Sequence, residues 1–384
     1  MYRFLSFVFA VFFFISCGAG GDGSKSGKDS GTTDTAAEIT DHDTGDTDTD
    51  TVDTDTDTVD TDSDTGDTDT DTADTDTDTD TDTCDTDTDT GDTDDQACSN
   101  EETDNFDGDS IHIRIVAGNI TSGNKQSYDP GDGIRIFKAL KPDIALVQEM
   151  NYKNKSDSDY RNFAQQIVGT NCYAVDDADY QIPNGVVSKY PIKSHGYWED
   201  PNINNRALMW AVVDIPGDTD IFAVSVHLHT SPSSDQVKAA QVIVDEIAKV
   251  KEKNPGKYYY VVGGDFNGTS AVDSSGFGKN HTFYVDGPDP VDEEKNGNTN
   301  ANRNKQYDFV LADYPLHEFQ VPVVYYSNED STKTKCYENG LVFDTRVYDQ
   351  SKLDEYFTPA EKGDSGASQM QHMAVVKDFL IELK

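Results

Sequence analysis

Apolar runs bounded by a single polar residue recur in the second part of the chain. Residues 111–117 alternate apolar with polar positions and then become apolar, which is typical of a strand that enters a core, and Asn119 follows them. Other predicted strands also carry a polar residue at one end, and those residues are Glu149, His227, Asp265, Asp308 and His372. Strand ends are where α/β proteins commonly build their sites. These positions are therefore candidates for a functional site.

Helical spacing and turn residues separate these predicted strands. Residues 134–140 and 160–168 predict short helices. An apolar face at residues 237–250 predicts a longer helix that runs to about Lys253 and that Ser233 or Ser234 could cap. Residues 207–214 and 221–227 predict an antiparallel hairpin. Little regular structure is predicted for two further segments. Residues 327–366 are polar, and residues 273–304 are predicted to be a long loop near the candidate functional site.

The stretch at residues 258–268, YYYVVGGDFNG, contains the most specific of these patterns. Its first five residues suit a buried strand, which is predicted to break at Gly263-Gly264. Asp265 and Asn267 then lie on a loop at the carboxyl end of that strand. Taken alone, the same residues are also typical of an ordinary turn.

The N-terminal residues predict export and a lipid anchor. Residues 1–17 contain Arg3 and then an apolar run that is shorter than the roughly 20 residues of a membrane span. The run ends at Cys17 in a pattern that resembles a bacterial lipoprotein signal. That resemblance implies cleavage before Cys17, lipid attachment to its sulfur and an outer-membrane location facing outward. The alternative is a plain signal peptide with an incidental cysteine.

A strongly acidic segment follows the predicted signal. Residues 1–99 hold 3 Lys and Arg against 29 Asp and Glu, so they account for −26 of the formal net charge of −43. Residues 18–105, rich in Asp and Thr, have almost nothing apolar to bury and are predicted to be a disordered tether. Thr occupies the sixth position of the loop that starts at Asp60, where a calcium loop of the EF-hand type needs Gly.

The remaining residues, 106–384, are long enough for one large domain. Residues 100–384 keep a net charge of −17, which argues against a long electrostatic contact with nucleic acid, although a local basic rim remains compatible with it. No cysteine pair has metal-site spacing, and Cys172–Cys336 with Cys84–Cys98 is the most economical disulfide pairing.

The polar residues at strand ends indicate a class of chemistry. Carboxylates, amides and histidines without a cysteine pair or a glycine-rich phosphate loop suit a hard divalent cation and phosphate ester hydrolysis. The sequence contains no Gly-x-Ser-x-Gly elbow, which disfavours a serine hydrolase.

Over residues 111–380 the chain resembles the endonuclease/exonuclease/phosphatase family, which includes deoxyribonuclease I. The order of seven motifs carries the resemblance: GNI at 118–120, VQE at 147–149, NGVVSKYPI at 184–192, VHL at 226–228, GGDFN at 263–267, YDFV at 307–310 and QHMAV at 371–375. The resemblance implies an α/β fold, a four-layered α/β sandwich of two packed mixed sheets flanked by helices.

The resemblance also implies roles for these residues. Glu149, helped by Asn119, would hold Mg²⁺, with Mn²⁺ or Ca²⁺ as alternatives, and Asp265 would orient or deprotonate the attacking water. The other implied roles are phosphate positioning by Asn267, stabilisation of the phosphorus centre by His372 held by Asp308, and assistance on the leaving-group side by His227. His229 is an alternative to His227.

One position departs from the family pattern. Gln371 stands where the family usually has an acidic residue next to the last histidine. A neutral amide binds a cation more weakly than a carboxylate does. The sequence therefore leaves open whether the chain has a second metal position, and whether it is active.

These observations together predict a monomeric, lipid-anchored, metal-dependent phosphodiesterase with nucleic acid as its first substrate class. The alternatives are a phospholipid or sphingomyelin phosphodiesterase, a phosphomonoesterase, and a surface binding protein with a decayed site.

Overall fold

The computed structural model describes residues 109–177, 179–273 and 276–383. The predicted signal with Cys17 and the predicted tether at residues 18–105 lie outside the described residues. In the described part, no helix is both long and apolar enough to cross a membrane.

The described residues form five α-helices and fourteen strands. The helices are α1 (Asp132–Leu140), α2 (Asp157–Val168), α3 (Ser233–Lys253), α4 (Tyr314–His317) and α5 (Gln350–Tyr356). The strands are β1 (Ser110–Gly118), β2 (Ile144–Val147), β3 (Cys172–Val175), β4 (Gly185–Ser188), β5 (Ile192–Trp198), β6 (Leu208–Val213), β7 (Asp220–His227), β8 (Tyr258–Asp265), β9 (Asp308–Ala312), β10 (Gln320–Val321), β11 (Val323–Tyr326), β12 (Thr334–Tyr337), β13 (Leu341–Phe343) and β14 (Ala374–Glu382).

The strands form two mixed sheets and a small ribbon. The first sheet has the order β10-β14-β1-β2-β4-β3, with β13 also paired to β14, and the second has the order β5-β6-β7-β8-β9. Within each sheet one central pair is parallel, β1 with β2 and β7 with β8. The predicted antiparallel hairpin is confirmed as β6 and β7. Strands β11 and β12 pair only with each other.

Strands β6 to β9 of the second sheet are buried on both faces, which explains their nearly continuous apolar runs. Along β6, Met209, Ala211 and Val213 belong to the core shared with the first sheet, whereas Leu208 and Val212 pack in a second cluster with α3. This alternation follows from the two-residue period of a strand. The predicted four-layered α/β sandwich is therefore confirmed, with packed mixed sheets and helices.

Aromatic side chains join the helices on the far side of the first sheet. Phe137 of α1 and Phe163 of α2 meet edge to face with ring centroids 6.3 Å apart, and Tyr128 lies 5.2 Å from Phe163. All three side chains are fully buried. Buried aromatic pairs of this kind add to the apolar area that they remove from water.

Two local predictions were wrong. Residues 327–366, predicted to be irregular, contain β12, β13 and α5, because residues far along the chain complete their burial: Leu341 pairs with Val376 of β14. Helix α3 begins at Ser233 itself, with Pro232 at the capping position and no side-chain cap. Cys172 and Cys336 are both disulfide-bonded, and their pairing with each other stays a prediction.

Candidate active site

Three neighbouring strands of the second sheet carry titratable side chains at one level. His227 of β7 lies in register with Asp265 of β8, and Asp265 lies in register with Asp308 of β9. Residues in register project from the same face, and side chains alternate along each strand. Ala223 and Val261, each four residues earlier, belong to the core between the sheets. The three polar side chains therefore point toward the first sheet.

Glycines allow the two sheets to approach closely beside Asp265. A Cβ on Gly263 would lie 2.8 Å from Leu146 Cδ1 and 2.9 Å from the backbone oxygen of Phe309. Gly264 has a φ of 138°, which side-chain-bearing residues rarely adopt. The predicted break of the strand at these glycines was wrong, because β8 continues through both of them to Asp265.

The first sheet contributes Asn119 and Glu149, which follow the parallel strands β1 and β2. The Asn119 amide nitrogen donates to Glu149 Oε1 at 3.2 Å and to Asp265 Oδ2 at 3.1 Å. Its oxygen accepts from the Thr121 hydroxyl at 3.3 Å. Asn119 thus connects carboxylates from the two sheets through its nitrogen, and a direct role as an oxygen ligand would require the amide to rotate.

Asp265 is the centre of the cluster. Its Oδ2 lies 3.3 Å from Nε2 of His227 and 3.4 Å from Nε2 of His372. Its Oδ1 accepts from the backbone N–H of Asn267 at 2.8 Å, and the Asn267 side chain donates to the backbone oxygen of Leu228 at 2.9 Å. The sequence predicted all these site residues, and the fold brings them into one cluster.

His372 is held between two carboxylates. Its Nδ1 lies 2.6 Å from Oδ2 of Asp308, while its Nε2 faces Asp265. Burial alone would lower the pKa of His372, but the charges of Asp265 and Asp308 outweigh burial and raise this pKa to about 9. Burial raises the pKa of Asp308 to about 6, against the opposing effect of His372. At neutral pH the pair is an imidazolium and a carboxylate.

The other histidine has the opposite character. Burial lowers the pKa of His227 to about 3, so this ring is neutral at neutral pH. Burial would raise the pKa of Asp265, yet nearby positive charge brings it below its ordinary value. Because His227 is neutral, His372 is the histidine whose charge keeps Asp265 ionised. Asp265 is therefore a carboxylate that can accept a proton or a hydrogen bond from water.

Two groups of side chains in the cluster could hold a cation, and the first contains Glu149. Burial raises the pKa of Glu149, and its Oε2 is buried without a hydrogen-bond partner in the described part of the chain. Carboxylate oxygens are the ligands that Mg²⁺ prefers. Asp265, Asp308 and His372 also have one ligand-type atom each within 4.8 Å of one another. We favour Glu149 because a protonated His372 would repel a cation from the second group.

Glu149, His227, Asp265 and His372 line a cavity of about 630 Å³ that is also lined by residues the sequence analysis missed. Arg206 donates from Nε to the backbone oxygen of His227 at 2.6 Å and from Nη2 to that of Leu228 at 3.0 Å. Burial lowers its pKa. Tyr307 also lines the cavity, with its ring centroid 5.7 Å from that of His372. The available signal for Arg206 was a charged residue directly before an apolar strand.

The structure shows where His229 and Gln371 lie, the two positions whose roles the sequence left open. His229 lies 3.3 Å from Asp235 and does not line the cavity, so the fold brings His227 rather than His229 to Asp265. Gln371 does line the cavity, and its side-chain nitrogen is buried without a hydrogen-bond partner among the described residues.

The chain is similar in sequence to one protein family. The model of that family, described as the Endonuclease/Exonuclease/phosphatase family, matches residues 129–331. No curated protein matches the chain.

Solved structures of similar fold include several bacterial and animal proteins. An endonuclease/exonuclease/phosphatase from Bacteroides vulgatus is 17% identical, over 71% of this chain and 100% of that chain, with a TM-score of 0.45. A mannosyl-6-phosphatase from Bacteroides thetaiotaomicron is 14% identical, over 70% and 99%, with a TM-score of 0.42. Truncated TDP2 from Caenorhabditis elegans is 16% identical, over 70% and 97%, with a TM-score of 0.39.

Proposed function

We propose that this chain, which belongs to the endonuclease/exonuclease/phosphatase family, is a divalent-metal-dependent phosphodiesterase that cleaves nucleic acid outside the cell. Members of this family hydrolyse phosphoesters. The observation that supports the proposal most directly is the position of the Asp265 carboxylate between two histidines of opposite protonation state, with the unpartnered oxygen of Glu149 nearby.

The cation would be held by Glu149, with Asn119 beside it. Mg²⁺ suits these ligands, and Mn²⁺ and Ca²⁺ also prefer oxygen. When bound, such a cation supplies a Lewis acid that offsets negative charge on a phosphate oxygen.

The residues of the chain would carry out the remaining steps. Asp265, ionised at neutral pH, orients the attacking water and takes its proton. As the water oxygen bonds to phosphorus, the imidazolium of His372, held by Asp308, stabilises the added charge on the phosphoryl oxygens. Arg206 adds a second positive charge to the cavity. The bond between phosphorus and the leaving oxygen then breaks, and that oxygen takes a proton from solvent while His227 donates a hydrogen bond to it. Asn267 positions the phosphate.

We propose further that the enzyme is exported, anchored through Cys17 to the outer membrane, and monomeric. The lipoprotein-like signal at residues 1–17 supports the anchor, and the acidic segment after it would serve as a spacer. Incorporation of labelled palmitate into the expressed chain, and its loss in Cys17→Ser, tests the anchor. Labelling that persists in the variant would contradict it.

A binding protein with a decayed site is the second candidate function. The specific observation in its favour is Gln371, an amide in the cavity where the family pattern has an acidic residue. Other substrates of the same chemistry, a phospholipid or sphingomyelin diester or a phosphomonoester, remain compatible with the catalytic cluster.

Turnover by the purified chain decides between these candidates. We would measure hydrolysis of bis(p-nitrophenyl) phosphate and of plasmid DNA with Mg²⁺ or with EDTA, for the wild type and for Asp265→Ala. Asp218→Ala, on an exposed loop, is the matched control. We expect activity that needs the metal, disappears in Asp265→Ala and persists in Asp218→Ala. A folded wild type without activity on either substrate would contradict the proposed phosphodiesterase.

A further inference from the structure

A second groove opens beside the catalytic cavity. It has a volume of about 800 Å³ and shares three lining residues with the cavity, namely Gln126, Ile182 and Gln369. The two spaces are therefore continuous along one surface. A substrate that extends beyond the reacting phosphate on this side must pass over these shared residues into the groove.

The groove is basic, although the protein around it is acidic. Lys125, Lys153 and Lys155 line it, against one acidic residue, Asp129. None of the three lysines has a carboxylate oxygen within 4.0 Å among the described residues, where many other lysines are paired. Residues 100–384 as a whole carry a net charge of −17. A concentration of unpaired positive charge in such a background attracts anions locally. We call this surface the lysine groove.

The lysines lie on the loops that also carry the candidate metal residues. Lys125 follows β1 and Asn119, while Lys153 and Lys155 follow β2 and Glu149. Each of the three has a positive φ, between 49° and 58°, so they lie on tight turns. The groove is thus fixed relative to the catalytic cluster by the same two strands.

Local contacts hold two of the lysines at the groove without neutralising them. Lys155 donates to the backbone oxygen of Tyr180 at 2.6 Å, and the Lys153 ammonium lies 4.8 Å from the centre of the Tyr152 ring. Neither contact removes the positive charge. Amide side chains supply neutral hydrogen-bonding groups between the lysines, and they are Asn124, Gln126, Asn151, Gln181 and Gln369.

We propose that the lysine groove binds the phosphates that flank the scissile phosphate, and that the substrate is therefore a nucleic acid chain. This inference rests on the proposed phosphodiesterase activity. Ammonium groups and amides suit a sugar–phosphate backbone, because lysines neutralise phosphates and amides bond to phosphate and sugar oxygens. A choline headgroup is disfavoured, because its cation would lie beside three lysines of the same charge.

A triple substitution tests the groove with a matched control. Lys125→Gln, Lys153→Gln and Lys155→Gln are combined in the full chain. The control combines Lys138→Gln, Lys253→Gln and Lys257→Gln, which remove the same charge from exposed positions away from the groove. Both proteins and the wild type are assayed on bis(p-nitrophenyl) phosphate and on a short single-stranded oligonucleotide across a range of salt concentrations.

The two substrates separate the groove from the catalytic cluster. For the groove variant we expect kcat/KM on the oligonucleotide to fall roughly 10- to 100-fold at low salt, and the slope of log kcat/KM against log salt to decrease by about 2 to 3. Activity on the small diester, which has no flanking phosphate, should stay unchanged. The control variant should match the wild type on both substrates.

Three results would overturn the inference in different ways. Equal oligonucleotide kinetics and salt slopes for the groove and control variants would show that the lysines make no substrate contact. A loss by the groove variant on vesicles containing phosphorylated phosphatidylinositol, with the oligonucleotide unaffected, would assign the groove to an anionic lipid. An equal loss on the small diester would place the defect in the catalytic cluster.

Binding provides a readout that does not depend on turnover. Fluorescence anisotropy of the labelled oligonucleotide in EDTA should show weaker binding to the groove variant than to the control. If the wild type hydrolyses nothing but this difference is found, the phosphodiesterase proposal fails while the groove still binds nucleic acid. If the wild type hydrolyses the small diester but the anisotropy difference is missing, the groove proposal alone fails.

Discussion

Two buried charged clusters lie along strands β1 and β14, one in the middle of the pair and one just past the point where β1 ends and β14 begins. The bonding of the two clusters is satisfied to different degrees. In the middle of the two strands, Arg114 and Asp378 face each other directly across the antiparallel pair. Asp378 Oδ1 accepts from Arg114 Nε at 2.9 Å, and Oδ2 accepts from Arg114 Nη2 at 2.7 Å and contacts His112 Nε2 at 3.0 Å. Both oxygens of this carboxylate are used.

Further contacts of the Arg114 guanidinium complete this cluster. Nη1 donates to the backbone oxygen of Leu140 at 3.2 Å, and Nη2 also donates to that of Val324 at 2.9 Å. The guanidinium lies 4.2 Å from the centre of the Tyr325 ring. Buried charges that are paired and fully hydrogen-bonded are typical of a structural role.

The candidate catalytic cluster lies where β1 ends and β14 begins, and it leaves atoms without hydrogen-bond partners in the described part of the chain. Glu149 Oε2 and His227 Nδ1 are buried without hydrogen-bond partners among the described residues. Burying such atoms costs free energy unless a ligand completes their bonding. Both clusters contain buried charge, so between these two the difference is the unsatisfied bonding of the candidate catalytic cluster.

The largest expected effect is the difference in kcat/KM between two variants, each of which lacks the histidine of one cluster. His372→Ala should lower kcat/KM roughly 10²- to 10⁴-fold, because it removes a positioned cation from the phosphoryl group. His112→Ala, at the structural cluster, should leave kcat/KM within a factor of about 2. Steady-state kinetics on the small diester measure both. Similar losses in the two variants would remove the functional distinction between the clusters.

The second effect concerns the free energy of unfolding. Asp378→Asn should lower it by about 3–5 kcal/mol, since the substitution leaves the Arg114 charge buried and unpaired. Urea denaturation measures the change. The double variant Arg114→Met with Asp378→Leu should recover much of the loss, because it removes both members of the buried ion pair. A single variant as stable as the wild type would contradict the structural role.

A smaller effect separates the clusters by their response to a cation. Mg²⁺ at about 100 times its dissociation constant should raise the free energy of unfolding of the wild type by about 2.7 kcal/mol. Glu149→Gln should lose most of this gain, whereas Asp378→Asn should keep it despite its lower starting stability. Thermal unfolding with Mg²⁺ and with EDTA provides the measurement. A full gain in Glu149→Gln would place the cation elsewhere.

The smallest effect is a pH dependence of the structural cluster. Burial would raise the pKa of Asp378, but Arg114 and His112 outweigh burial and hold it below the ordinary value of about 3.9. A depressed carboxylate pKa contributes stability above the unfolded pKa and loses it as pH falls through the folded pKa. The stability difference between wild type and Asp378→Asn should therefore be constant above about pH 5 and shrink below about pH 4. A difference that stays constant into strong acid would contradict the depressed pKa.

Much of this fold could be predicted because its signals are local. The apolar runs that form β1, β2, β7 and β8 are contiguous, and the polar residues that end them are visible without any partner strand. The order of short motifs added the fold class and the candidate catalytic residues. Residues 327–366 were harder, because their burial depends on β14, which follows later in the chain.

The sequence by itself determined which residue types lie at strand ends, and hence the candidate cluster of Asn119, Glu149, His227, Asp265, Asn267, Asp308 and His372. Only the tertiary structure decided that His227 rather than His229 reaches Asp265, that Arg206 joins the cavity, and that three lysines from two loops share one groove. It also paired Arg114 with Asp378, 264 residues away. Such contacts depend on strand register and on the close packing of two sheets, which bring distant parts of the chain together and leave no local trace in the sequence.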